Sequence, residues 1–154
     1  MLSGKDLTPE KCMEILEREQ TGFLAMCRDD MPYCIPVNYF FDREQQKIYI
    51  HTGLKGLKWD ILAHNPLVCF TVADPGCKRT GDSPCTYTYE FESVAVFGKA
   101  AEVEGKSEVS LSLNKLVEKY RDTEISPVPK EKLAVLRMIR IDIERITGRH
   151  NRSV

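Results

Sequence analysis

The 154-residue sequence offers little that would take it to a membrane or a polyanion. No apolar run approaches the ~20 residues of a bilayer-spanning helix, so no membrane partner is expected. Neither sign of charge is in excess: 22 Lys plus Arg stand against 23 Asp plus Glu, a formal net charge of -1, which gives no reason to expect nucleic acid. The start, Met1-Leu2-Ser3-Gly4-Lys5-Asp6, lacks the positive-then-apolar order of a secretory signal, and the expected location is the cytoplasm. The six cysteines (Cys12, Cys27, Cys34, Cys69, Cys77, Cys85) include no CxxC pair, which removes the zinc-ribbon and thioredoxin-like readings. No GxGxxG follows a strand and no P-loop is present, so a doubly wound nucleotide-binding fold is excluded. No repeat or low-complexity segment occurs, and the three histidines have no metal-ligand spacing.

With 42% hydrophobic and 29% charged residues, the chain has the balance of one globular domain spanning residues 1–154. Thr8-Pro9-Glu10-Lys11 reads as a helix start, with Cys12, Ile15, Leu16 and Glu19 on helical spacing and Gly22 closing the segment. Phe23 to Cys27, Tyr33 to Phe41 and Lys47 to His51 then read as an antiparallel meander with short turns. Leu54 to His64 predicts a short helix ending before Asn65-Pro66, and Leu67 to Ala73 a further strand. Asp74 to Cys85, rich in Gly and Pro, is the longest loop. Thr86 to Ala101 reads as a long strand region bent at Gly98, Ser107 to Tyr120 as a second amphipathic helix, Lys130 to Leu136 as a helical turn or two, and Met138 to Ile146 as a final strand ended by Thr147-Gly148. The expected architecture is mainly β, an antiparallel sheet or small barrel with flanking helices. Cys27, Cys34 and Cys69 fall in apolar strand-like runs and are expected as buried free thiols; Cys77 and Cys85 share the long loop, where a pair or a metal site stays open.

Two segments carry the candidate chemistry. Pro36 interrupts the strong strand Tyr33 to Phe41, and since proline cannot donate to a central ladder, the strand should be at an edge or bulged there; an edge would be open to a flat ligand or simply protected from aggregation. His51-Thr52-Gly53-Leu54-Lys55-Gly56-Leu57-Lys58 runs from a strand end into a helix start and combines a hydroxyl, two glycines, helix N-terminal amides and two lysines, the ingredients of a phosphate site or simply a turn with solvated lysines. His64 and His150 are read as surface residues.

The order Gly22-Phe23-Leu24-Ala25, Pro32 to Tyr39, Ile48 to Thr52, Gly56-Leu57-Lys58, Asn65 to Phe70, Glu92 to Ala100 and Ile141 to Gly148 resembles the pyridoxamine 5'-phosphate oxidase-related, FMN-binding split-barrel proteins. It looks closest to the branch that includes the 5-nitroimidazole-resistance reductases, and the resemblance runs from about Leu7 to Gly148. The resemblance implies a six-stranded antiparallel split β-barrel that forms a homodimer with FMN at the subunit interface. It implies that the backbone of Pro36, Val37 and Asn38 lies along the isoalloxazine ring, that His51, Thr52 and the pair Leu57-Lys58 surround the ribityl phosphate, and that Ser93 approaches the flavin. Leu57 stands where the oxidases proper have arginine, so the phosphate grip falls to Lys58, Lys55 and backbone amides. His51 matches the histidine placed near flavin and substrate in the nitroimidazole-resistance branch, and is the candidate catalytic residue. The chain ends soon after the last strand, without the segment that binds the vitamin in the true oxidases, so vitamin B6 oxidation is not expected. The implied function is electron transfer from NADH or NADPH through FMN to a small nitroaromatic- or quinone-like oxidant. The alternatives are a flavin- or haem-binding protein without turnover, haem favouring His51 or His64 as ligand, and an interaction domain without a ligand.

Overall fold

The computed structural model describes residues 5–123, 129 and 135–151, with the side chain of Cys85 left aside. The expected turns at Lys130 to Leu136 therefore lie outside the described residues except at their end. The described residues form nine strands (β1 Lys5–Asp6, β2 Thr21–Arg28, β3 Met31–Asp42, β4 Lys47–Thr52, β5 Leu67–Asp74, β6 Lys78–Arg79, β7 Thr88–Tyr89, β8 Glu92–Glu102, β9 Arg137–His150) and the helices α1 Pro9–Arg18, α2 Leu57–His64 and α3 Lys106–Tyr120. Six strands close a ring in the order β9-β4-β3-β2-β5-β8, with β8 returning to β9 and β1 added beside the end of β9; every pairing is antiparallel. Closure removes most sheet edges and encloses a side-chain core. The register of β8 on β9 shifts by one residue between Phe97 and Gly98, a bulge at the glycine where the sequence predicts a bend.

The core follows from period-2 alternation. In β2, Gly22, Leu24 and Met26 point inward, and in β8, Glu92, Val94 and Val96 do so. Tyr39, Phe70, Ile48, Ile50, Val72, Ile139 and Ile141 fill the barrel and lose all or nearly all contact with water. Each such side chain contributes roughly 1.5–3 kcal/mol of transfer free energy. Tyr39 and Phe70 meet edge to face at 4.8 Å, and the Tyr39 hydroxyl donates to the Leu16 carbonyl at 2.7 Å, so the aromatic centre also anchors α1. Thr8 caps α1 as its sequence predicts, its hydroxyl accepting from the Lys11 amide at 3.2 Å. A second, smaller core of Tyr49, Val103, Val109, Leu113, Leu116 and Met138 fixes α3 to the outside of β4 and β9.

Several boundaries differ from the sequence reading. Helix α1 stops at Arg18, with Glu19 already extended, because Thr21 and Gly22 are recruited into β2 opposite Asn38 and Val37. Helix α2 starts at Leu57, three residues later than expected. The last strand runs through Thr147-Gly148 to His150, since Gly148 packs where a Cβ would lie 2.5 Å from the Cys12 sulfur. Thr86 to Ala101 is not one strand: a 3-10 turn at Pro84–Thr86 and the short β7 precede β8. Cys34 is exposed and Cys27 and Cys69 are half-buried, because all three point to the outer side of their strands; all three are free thiols. His150 is half-buried in β9 with its Nδ1 enclosed, not a surface residue, whereas His64 is exposed and 3.5 Å from Asp29.

Candidate functional site

Strand β3 changes its pairing partner along its length. Residues 39–42 pair with β4, whereas residues 31–38 pair with β2 alone, so among the described residues one edge of Met31 to Asn38 is open. The alternation of backbone groups identifies which residues face it. The Tyr39 amide donates to the Tyr120 hydroxyl at 3.0 Å, and that hydroxyl also donates to the Gln20 carbonyl where β2 begins, so Tyr39 turns its backbone groups to the β2 side. Residues of opposite parity, Pro32, Cys34, Pro36 and Asn38, then turn theirs to the open edge. Both prolines occupy positions where no ladder hydrogen bond is lost, which is the physical reason a central-looking strand tolerates them. Pro36 and Asn38 are exposed and Val37 is half-buried; the Asn38 side chain is tied to the Gln20 carbonyl at 3.3 Å.

Beside this edge, β4 ends at Thr52 and the chain turns into α2. His51 is exposed and Thr52 half-buried, on opposite faces of β4. Gly56 is the N-cap of α2 at φ 128°, a conformation that L side chains rarely adopt, and among the described residues no side chain caps the helix. The first amides of α2 therefore face outward with the positive end of the helix dipole. Gly53 has open space where a Cβ would stand. Lys55 and Leu57 are exposed, and the Lys58 ammonium donates to the Lys55 carbonyl at 3.2 Å, which folds its side chain back over the turn. The structure thus brings His51, Thr52, Lys55, Leu57 and Lys58 into one junction.

Two residues that the sequence does not single out hold this junction in shape. The Trp59 indole donates to the Gly53 carbonyl at 2.9 Å, and Arg137, the first residue of β9, donates to the Leu54 carbonyl at 3.0 Å. Arg137 also pairs with Glu102, and hydrogen bonding to Arg137 holds the Glu102 carboxyl below its ordinary range. The sequence signal was weak: a lone tryptophan and an arginine 78 positions apart become neighbours only through the β4–β9 pairing, which sets Thr52 opposite Arg137.

Ser93 is elsewhere. It pairs with Ala73 and Arg149, twelve residues along β9 from Arg137, or about 40 Å of strand at ~3.3 Å per residue. One chain therefore does not bring Ser93 to the junction. The outward face next to the open edge carries no charge in two successive cross-strand rows, Pro36–Phe23–Thr71 and Cys34–Ala25–Cys69, and Phe23 is 49% exposed on it.

A hollow of about 560 Å3 lies apart from the junction, between α1, the β3–β4 turn and α3. Its lining cations are engaged within the fold, Arg43 with Glu10 and Glu17, Lys115 with Glu118, and Lys119 with the Glu19 carbonyl and the Tyr39 ring. Among the described residues no group of acidic, Cys or His side chains is placed to hold a metal, and no helix is long and apolar enough to cross a membrane.

The sequence pattern of the pyridoxamine 5'-phosphate oxidase family matches residues 8–150. An uncharacterized protein of Rhizobium meliloti is 26% identical over 132 residues, 81% of this chain and 79% of the relative. Among solved structures, a candidate 5-nitroimidazole antibiotic resistance protein of Bacteroides thetaiotaomicron superimposes with a TM-score of 0.82 at 21% identity, over 96% of this chain and 87% of that one. An FAD- and haem-binding protein of Mycobacterium smegmatis gives 0.83 at 15% identity over 95% and 72%, and the flavocytochrome Anf3 of Azotobacter vinelandii 0.81 at 19% over 96% and 68%. At these identities the likeness of the structures establishes the split-barrel fold.

Proposed function

The chain belongs to the pyridoxamine 5'-phosphate oxidase family, and on that premise we propose that it is an FMN-binding flavoprotein, an oxidoreductase passing electrons from a reduced nicotinamide donor to a small nitroaromatic- or quinone-like oxidant. The observation that carries the reading is the open edge of β3 at Pro36 to Asn38 beside an uncapped helix N-terminus with two lysines. A flat ring with donors and acceptors on its rim fits an unpaired strand edge, and a phosphate fits exposed amides at the positive end of a helix.

When bound, FMN supplies the hydride and electron chemistry. Lys58 and Lys55 neutralise the phosphate, the Thr52 hydroxyl donates a hydrogen bond to it, and Leu57 contributes its backbone amide in place of a charge. The backbone of Pro36, Val37 and Asn38 lines the ring. His51, exposed at the end of β4, orients the substrate and gives it a proton.

Ser93 reaches such a site only from a second copy, because it lies far along β8 from the junction. The uncharged outer rows through Phe23 and Ala25 continue from the open edge and are the face on which the homodimer would close. The balanced charge and the lack of a spanning helix among the described residues are in keeping with a cytoplasmic protein.

The test is an ultraviolet-visible spectrum of the purified protein, before and after FMN and then NADH under anaerobic conditions. Flavin bands that bleach with NADH are expected. Bands that persist would leave a flavin-binding protein or another donor, a Soret band would move the reading to haem, and no uptake of FMN would overturn it.

A further inference from the structure

The segment after the long loop leaves three large rings in water. Tyr87, Tyr89 and Phe91 are 57%, 52% and 36% exposed, whereas Thr88 and Glu90 between them are half-buried and Glu92 is buried. Extended chain alternates its faces, so the rings form one row at roughly 7 Å intervals and Ser93 stands at the end of the same row. Lys78 is directly opposite Tyr89 in the β6–β7 pair and exposed, and cross-strand partners share a face, so its ammonium accompanies the rings. Its neighbour Arg79 turns to the other face, where it pairs with Glu90 at 2.6 Å. Lys78 makes no ion pair among the described residues.

The ribbon that carries this row is tied down. The Glu90 amide donates to the Cys77 carbonyl at 2.8 Å, and Gly76, at φ 61°, lets the two legs approach so closely that a Cβ there would lie 1.9 Å from the Glu90 carbonyl oxygen. Asn151 accepts from the Phe91 amide at 2.8 Å, donates its own amide to the Phe91 carbonyl at 3.2 Å and reaches the Thr88 hydroxyl at 3.3 Å. A fixed row of exposed aromatics with one accompanying cation is a stacking platform for a planar base that carries phosphate.

We propose that the face formed by Lys78, Tyr87, Tyr89 and Phe91 binds an adenine nucleotide moiety, the base stacked on the tyrosines and the phosphates beside Lys78. Its orientation toward Ser93 rests on the flavin reading above, in which Ser93 adjoins the redox-active ring. FMN has no adenylate; FAD and a nicotinamide dinucleotide both do, and the experiment separates them.

Calorimetric titrations of the full chain with ADP, FMN, FAD and NADH, repeated on Tyr87→Ala/Tyr89→Ala, on Lys78→Ala and on Tyr89→Phe, test this. ADP should bind the wild type and Tyr89→Phe equally, at least tenfold more weakly to the double variant and severalfold more weakly to Lys78→Ala, with FMN unchanged throughout. Where ADP binding falls, a parallel loss for FAD but not NADH assigns the face to the cofactor, and a parallel loss for NADH but not FAD assigns it to the donor. Absence of ADP binding to the wild type, or equal ADP binding by the double variant, overturns the proposal. If FMN fails to bind while ADP binding still depends on the tyrosines, the flavin reading falls and the nucleotide face stands.

Discussion

The guanidinium carbon of Arg137 lies 3.6 Å from the centre of the Trp59 ring, which places a cation from the first residue of β9 over the first turn of α2. The same guanidinium donates to the Leu54 carbonyl and pairs with Glu102, so one side chain joins the helix, the loop before it and β8. A planar fork that stacks and donates in several directions suits arginine and not lysine.

Arg137→Lys should therefore loosen the Thr52 to Lys58 turn while keeping the charge. FMN affinity is expected to fall about tenfold, equivalent to ~1.4 kcal/mol, with the melting temperature nearly unchanged because the ion pair is solvent-exposed. Equilibrium dialysis with FMN beside a thermal melt checks both; unaltered affinity would remove Arg137 from the support of the site.

Lys58→Ala removes the ammonium that now rests on the Lys55 carbonyl. A charge-assisted hydrogen bond contributes ~1.5–3 kcal/mol, so FMN affinity should drop roughly ten- to a hundredfold, while the circular dichroism spectrum and oligomeric state stay as in the wild type. The effect should shrink as salt rises.

His51→Ala should retain flavin and alter turnover, since His51 is exposed beside the junction and carries none of its internal hydrogen bonds among the described residues. Flavin content per protein and steady-state rates with a nitroaromatic acceptor separate the two effects. Loss of flavin with an intact fold would make His51 a binding residue.

Lys119 gives the protein a pH signature away from the site. Its ammonium sits 3.7 Å over the Tyr39 ring and donates to the Glu19 carbonyl at 2.5 Å, and burial pushes its pKa down to about 8. Between about pH 8 and its unfolded value of ~10.4, the unfolded chain binds the extra proton, so stability should rise with pH across that window. Burial pushes the Tyr39 phenol above its ordinary value, so above about pH 10 the unfolded state alone deprotonates and stability should fall again. Urea unfolding from pH 7 to 11 should show the rise in the wild type and not in Lys119→Met.

Gly22→Ala tests the packing at the start of β2. A Cβ on Gly22 would lie 2.1 Å from the tip of the Phe70 ring, which is wholly buried and in edge contact with Tyr39. Overpacking of this kind costs about 1–3 kcal/mol, a fall of several degrees in melting temperature for a chain of this size. A melt within one degree of the wild type would mean that Phe70 moves aside freely.

Much of the architecture is legible because it is written in local alternation and punctuation. Leu24 and Met26, Ile48 and Ile50, and Val94 and Val96 declare their inward faces by period 2, Thr8-Pro9 declares a helix start, and Gly98 marks the bulge. The junction from His51 to Lys58 is equally local, a strand end running into a glycine-capped helix. The signals that misled were those a neighbour overrides: Gly22 looks like a helix stop but is claimed by pairing with Val37, and Cys34 looks buried but points outward from its strand.

The sequence by itself determined most of the strands, the turn from β4 into α2 and a break in ladder pairing at Pro36, because proline's missing amide and alternating side chains act at the residue that carries them. Only the tertiary structure decided that Arg137 stacks on Trp59, that Pro32 and Pro36 both face the unpaired side, and that Ser93 lies a strand's length from the junction. Those relations depend on which strands pair and in which register, and ring closure sets that register through contacts between residues far apart in the chain.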